Sequence, residues 1–289
     1  MPDVATAAVM RDLAAFAFCA MMVGVVAYTL LRLARPGLGS VKGGAVATHW
    51  YDVRDVWAAV ALMMFMLMTS GILMSDIVLP AQEDKAGSNP GQELLVVVAS
   101  IVTLLMICGL LLVFFRAMRG LNPVEIFGMR RVSLWQAAKL AMAFIVPMYV
   151  VVVVVSGLLI QNWLADVWPD LDPQEAVKAF QEAGGPLMKA LMIVAAVIVA
   201  PVVEETIFRG YVYAVLKRFT DGWFAAVCSS LLFAVVHVHV GSTVPLFLLA
   251  LGFCAAYEFS GSLLVPMWMH AFFNATSMAL ISVMPENLP

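Results

Sequence analysis

The chain has 289 residues, 63% of them hydrophobic and 12% charged, with a net charge of -3 and a mean hydropathy of +0.98. A soluble domain carries about 25% charged residues, so composition excludes a soluble globular protein, and no basic patch with interleaved aromatics points to nucleic acid. The apolar residues run continuously instead of alternating, which predicts helices and not a β-barrel: the fold class is all-α, a polytopic transmembrane helix bundle.

A span needs about 20 apolar residues, and eight segments qualify. Leu13–Leu31 comes first; no basic stretch precedes it, so it reads as a retained span and not a cleaved signal. Basic residues Arg32, Arg35, Lys42 and Arg54 follow, with His49 beside Trp50 and Tyr51 in an interfacial setting. Val56–Leu79 and Leu94–Phe115 are the second and third spans, separated by a polar loop at Ala81–Gly91. Arg116, Arg119, Arg130, Arg131 and Lys139 mark the next connection, and Leu134–Ile160 is the fourth span. Asp166–Gly185 is an acidic interval whose middle, Pro173–Ala183, has helical spacing suited to a membrane surface. The last four spans are Pro186–Leu216, Trp223–Val240, Val244–Phe259 and Leu263–Met284; the seventh is short and weakened by Gly252 and Glu258. The chain thus divides into an N-terminal transmembrane region, 1–185, of about four spans with its polar loop, and a helical core, 186–289. Cys19, Cys108, Cys228 and Cys254 all fall in apolar segments and read as buried thiols.

Eleven basic residues, the nine above together with Lys217 and Arg218, fall on one side of this alternation; Arg11, Lys85, Lys178 and Lys189 fall on the other. The positive-inside rule then places the basic loops in the cytoplasm and both termini outside. The expected location is the cell membrane, and the expected partner is the lipid bilayer.

The polar residues that break the apolar runs carry the chemistry. Glu204 and Glu205 are adjacent in the fifth span, and charges at bilayer depth cost a few kcal/mol each on the mildest scales. Glu205 and Arg209 are four apart, so they share a helix face and can pair. Glu204 is offset by about 100°, which leaves it free to face a cavity. His237 lies in the sixth segment one turn after Phe233, and His270 lies one turn before Asn274 in the eighth. A carboxylate, two imidazoles and an amide can therefore converge from three helices. A carboxylate in an apolar pocket is a tunable general base. One imidazole can polarise a water, while the other imidazole and an amide N–H can donate to an oxyanion. These are the parts needed for water to attack an amide. No GxSxG turn or cysteine partner suggests a nucleophilic triad.

The three stretches read as EExxxR (Glu204–Arg209), FxxxH (Phe233–His237) and HxxxN (His270–Asn274). In this order, on successive late helices, they resemble the CPBP family of intramembrane proteases, which includes type II CAAX prenyl endopeptidases and abortive-infection or bacteriocin-immunity proteins. The resemblance spans 186–284. It implies an intramembrane endopeptidase that cuts a membrane-anchored peptide or protein substrate; a prenylated CAAX protein is what the best-known branch cuts, and a signal-peptide remnant or other membrane peptide is equally open. Glu204 would be the base, His237 a water ligand, His270 and Asn274 the oxyanion hole, and Glu205 with Arg209 the supporting pair. No cofactor is expected; the alternative is zinc held by Glu204, His237 and His270. Two further readings are a non-catalytic scaffold or immunity protein of the same fold, and an ion-coupled transporter with Glu204 as its proton site. Phe208 and Phe233 read as packing residues, His239 as a bystander, and Glu258 as an interfacial group that could support the site.

Overall fold

A computed structural model describes residues 23–28, 30, 31, 34, 44–73, 90–155, 180, 185–237 and 240–283. Residues 13–22 of the expected span Leu13–Leu31, Cys19 among them, lie outside these residues, as do His239 and all but a few positions of the loop Ala81–Gly91 and of the interval Asp166–Gly185 with its Pro173–Ala183 helix.

The described elements are all helical. We label them α1 (Val53–Leu73), α2 (Pro90–Val113, continued by a π-helical turn at Phe114–Met118), α3 (Pro123–Ile126), α4 (Leu134–Val154), α5 (Pro186–Phe219), α6 (Gly222–Val235), α7 (Val240–Ser260) and α8 (Leu264–Val283). Local chemistry sets several of the starts. Ser133 and Gln136 form a reciprocal capping box at α4, Asp221 accepts from the Phe224 N–H at α6, and Asn122 caps α3 ahead of Pro123.

Five described helical stretches are long and apolar enough to cross a membrane: Leu94–Met118, Leu134–Val154, Pro186–Phe219, Gly241–Ser260 and Leu264–Val283. Eight is the expected number; five is what length and composition support among the described residues. The seventh segment, expected to be short, is a full 21-residue helix (α7) that accommodates Pro245. The sixth, expected to run through Val240, stops at Val235. At 14 residues α6 is about 21 Å long, short of the hydrocarbon thickness of about 30 Å. Its ladder tightens at the end, where the His237 N–H bonds to Ala234 O at 3.4 Å instead of to Phe233 O. His237 therefore sits just past a helix end and not deep inside a span.

Two apolar clusters hold the bundle. One gathers α1, α2, α5 and α6, with Phe115, Ile207, Phe208 and Phe233 fully buried; the other joins α4 to α8 around Ile145, Val265 and Met269. Helix α7 is the wedge between them. Ala250, Cys254 and Tyr257 face the first cluster, and Leu249, Phe253 and Ala256 face the second. The outward faces stay apolar, with Leu95, Leu105, Leu110, Val146, Val150, Val153 and Ile198 exposed, which is what helices facing lipid tails require. This is an integral membrane protein.

At one end the segment before α1 is strapped across the bundle. Ala45 N–H donates to Glu258 O (3.0 Å), Arg131 donates to Ala45 O (2.6 Å), and Tyr51 OH donates to Gly210 O (2.7 Å). Glu258 accepts from Tyr213 OH and Lys217 Nζ, both at 2.5 Å, and Lys217 also reaches Val46 O. Arg119 pairs with Asp52 and Asp55 at 2.8 and 3.0 Å. Glu258 therefore closes this end of the bundle and does not join Glu204. Among the basic residues counted for the expected orientation, Arg119 and Lys217 are paired with these acidic partners.

Candidate active site

Helix α5 supplies both carboxylates, and it does so from an irregular stretch. It passes through π-helical turns at Ala195–Val199 and Thr206–Tyr213, flanking the six residues Ala200–Glu205. Such turns loosen the regular ladder and free carbonyls for side chains. Asn274 of α8 donates to Ala196 O at 2.7 Å, Ser229 to Phe208 O at 3.0 Å, and Tyr51 to Gly210 O. The broken helix is thus tied to α8, α6 and the strap at the positions around the two glutamates.

The adjacent glutamates live in different worlds. Glu205 is fully buried, and its Oε1 accepts from Arg209 Nη1 and from His270 Nδ1, each at 2.9 Å. Arg209 is also fully buried. It reaches Ala250 O at 3.4 Å and lies against two phenyl rings, with its guanidinium carbon 4.5 Å from the centre of Phe233 and 4.9 Å from that of Phe253. Glu204 is offset around the helix and takes no part in this chain. Its Oε2 is buried without a hydrogen-bond partner among the described residues, 3.9 Å from His237 Nε2 and 3.9 Å from His270 Nε2.

The imidazole protons follow from these partners. A carbonyl only accepts, so His237 Nδ1 carries the hydrogen that bridges 2.7 Å to Phe233 O. That carbonyl is the one left over by the early end of α6, so the side chain completes the helix terminus. Glu205, paired with Arg209, is an anion and also only accepts, so His270 Nδ1 is again the donor. In the neutral rings both Nε2 atoms then present lone pairs toward Glu204 Oε2. Three acceptors surround one point, a place for a hydrogen-bond donor or a cation.

The structure brings together Glu204, His237 and His270, and separately Glu205, Arg209 and His270. Asn274 sits one turn along α8 from His270, with one N–H committed to Ala196 O and the other without a partner among the described residues. His270 thus bridges the two carboxylates, a link that the i,i+4 spacings did not reveal. Phe233, read as packing, touches Arg209, His237 (4.7 Å) and His270 (5.9 Å, edge-on). Phe253 belongs to no motif, and sequence reasoning missed it; its place on the α7 face shared with Leu249 and Ala256 is the signal that could have marked it.

Residues 186–276 match the family described as Type II CAAX prenyl endopeptidase Rce1-like. Over 86 residues the chain is 34% identical to the Bacillus subtilis (strain 168) protein named "Putative membrane peptidase YdiL". That alignment takes in 29% of this chain and 34% of the relative, so the chain spans about a third of the length of the curated relative it matches. No solved structure matches the chain. The motifs and the match coincide: the segment 186–276, which holds all six polar residues of the site, is similar to the Rce1-like type II CAAX prenyl endopeptidases.

Proposed function

We propose that the protein is an intramembrane endopeptidase in which Glu204 activates the hydrolytic water. The observation that carries this reading is the buried, unpartnered Glu204 Oε2 at 3.9 Å from both Nε2 atoms. Atoms 3.9 Å apart can share a third atom at about 2.8 Å, an ordinary hydrogen-bond distance. A water held there gives a proton to Glu204 as its oxygen attacks the peptide carbonyl. The uncommitted Asn274 N–H is a donor for the resulting oxyanion, and His270 donates only when its ring carries both protons. Collapse of the intermediate breaks the C–N bond, and the proton on Glu204 passes to the leaving amine. Glu205 and Arg209 act through His270 by holding Nδ1.

The same three side chains have the donor chemistry for zinc, and histidines that ligate a metal commonly hand their other N–H to a carbonyl or carboxylate, as both do here. Their spacing is wide for it. Bonds of about 2.0–2.1 Å in a tetrahedral shell put ligand atoms about 3.4 Å apart, half an ångström closer than these. Bound there, zinc would supply Lewis-acid activation of water. The wide spacing supports the metal-free reading.

The substrate class is a membrane-associated peptide, with a CAAX-type protein as the family's example. The excess of basic residues at the strapped end is the reason for putting that end on the cytoplasmic side of the cell membrane.

The test is cleavage of a membrane peptide by purified protein. Glu204→Gln keeps the shape and removes the base, so turnover should fall by about 10²–10⁴ while substrate binding persists. Near wild-type turnover in Glu204→Gln, or activity abolished by 1,10-phenanthroline and restored by zinc, would overturn the scheme.

A further inference from the structure

Phe253 lies outside all three motifs, is fully buried, and touches two members of the site. Its ring is stacked on His270, with centres 5.2 Å apart and planes at 26°, and the same ring meets the Arg209 guanidinium at 4.9 Å. His270 has one hydrogen bond fixing its orientation, Nδ1 to Glu205 Oε1. A single bond at one ring atom fixes where that atom points and leaves the ring plane free to rock about it. A flat face against the imidazole removes that freedom. Phe233 meets the same ring edge-on at 79° and so bounds it from a different direction.

We propose that Phe253 is a positioning residue, whose ring face sets the plane of His270 and so aims His270 Nε2 at Glu204 Oε2. Through Arg209 it also steadies the guanidinium that holds Glu205. The consequence for turnover rests on the protease reading; the geometric claim does not.

Two variants separate the ring face from mere filling of space. Phe253→Met keeps an apolar side chain of similar reach and lacks the face; Phe253→Tyr keeps the face. The first readout is ¹⁵N-imidazole NMR of the detergent-solubilised protein. The chain has four histidines, so a His270→Gln variant assigns the signal. In the wild type the His270 Nδ1–H should be protected from solvent exchange. In Phe253→Met that exchange should quicken about tenfold, and kcat should fall about tenfold with KM within a factor of about two, since misaimed groups cost the chemical step more than binding. Phe253→Tyr should stay close to wild type in both.

A Phe253→Met protein with wild-type exchange overturns the positioning role, whatever its kcat. So does an unprotected His270 Nδ1–H in the wild type, which needs no variant to fold. Protection that depends on Phe253 in a protein that cleaves nothing would support the positioning role and refute the protease reading.

Discussion

Arg209→Met tests how the buried charges are balanced. The substitution removes the guanidinium from a fully buried pair and leaves Glu205, whose Oε2 already lacks a partner, with the His270 N–H alone. Breaking a buried pair by removing one member costs about 3–5 kcal/mol. The contacts with Phe233 and Phe253 go as well, although the methionine recovers part of their packing, so the lower figure is the safer expectation. At about 2–4 °C per kcal/mol for a large domain, 3 kcal/mol lowers the melting temperature by roughly 6–12 °C. Adding Glu205→Gln removes the stranded charge while leaving a carbonyl oxygen for His270 Nδ1–H. The double variant should therefore melt higher than Arg209→Met alone, since replacing both members of a buried pair is often close to neutral. Thermal unfolding in detergent, followed by circular dichroism at the helical band, gives all three values. A single variant within about 2 °C of wild type would refute the cost assigned here, and a double variant no more stable than the single would refute its cause.

Gly128 has φ +62°, and a Cβ there would lie 1.9 Å from Gly261 O, a backbone atom that cannot swing aside; Gly120 has φ +64° with open space around it. Gly120→Ala should lose only the left-handed penalty of about 1–2 kcal/mol and Gly128→Ala clearly more, so equal melting temperatures would contradict the packing between α3 and the α7–α8 turn. An Arg130→Cys protein should react with a membrane-impermeant thiol reagent only after cells are permeabilised, and labelling of intact cells would reverse the orientation.

The helical bundle and the polar residues of its site could be read from sequence because both rest on spacing. Continuous apolar runs have no reading but helices in lipid, and the i,i+4 pairs fix which polar groups share a face. What spacing cannot carry is the meeting of different helices. His270 touches Glu205 across 65 positions, Arg209 reaches Ala250 across 41, and Lys217 takes Glu258 across 41. Helix ends were legible only where a cap announces them, as Asp221 does for α6. The stop at Val235 has no breaker residue; it depends on the His237 side chain accepting the role of terminal partner for Phe233 O, which is a tertiary event at the site. The π-helical turns of α5 are equally silent, since their freed carbonyls are stabilised by Asn274, Ser229 and Tyr51 from elsewhere in the chain.

Adjacency of Glu204 and Glu205 is what allows one of them to stay unpaired. Two carboxylates on one face would compete for the same cation, and the site would hold a single shared charge. The rotation of about 100° between neighbours instead sends Glu205 inward to Arg209 and leaves Glu204 at the edge, 17% exposed. Buried Glu205 is held by the guanidinium of Arg209 at 2.9 Å. Glu204 has no such cation, and its nearest groups are ring nitrogens at 3.9 Å. Glu204 Oε2 therefore stays open to a donor placed between the two rings. His270 then links the pair, since its Nδ1 reads the charge on Glu205 while its Nε2 faces Glu204. The surroundings of Glu204 are in this way coupled to the burial of Glu205 through one imidazole ring.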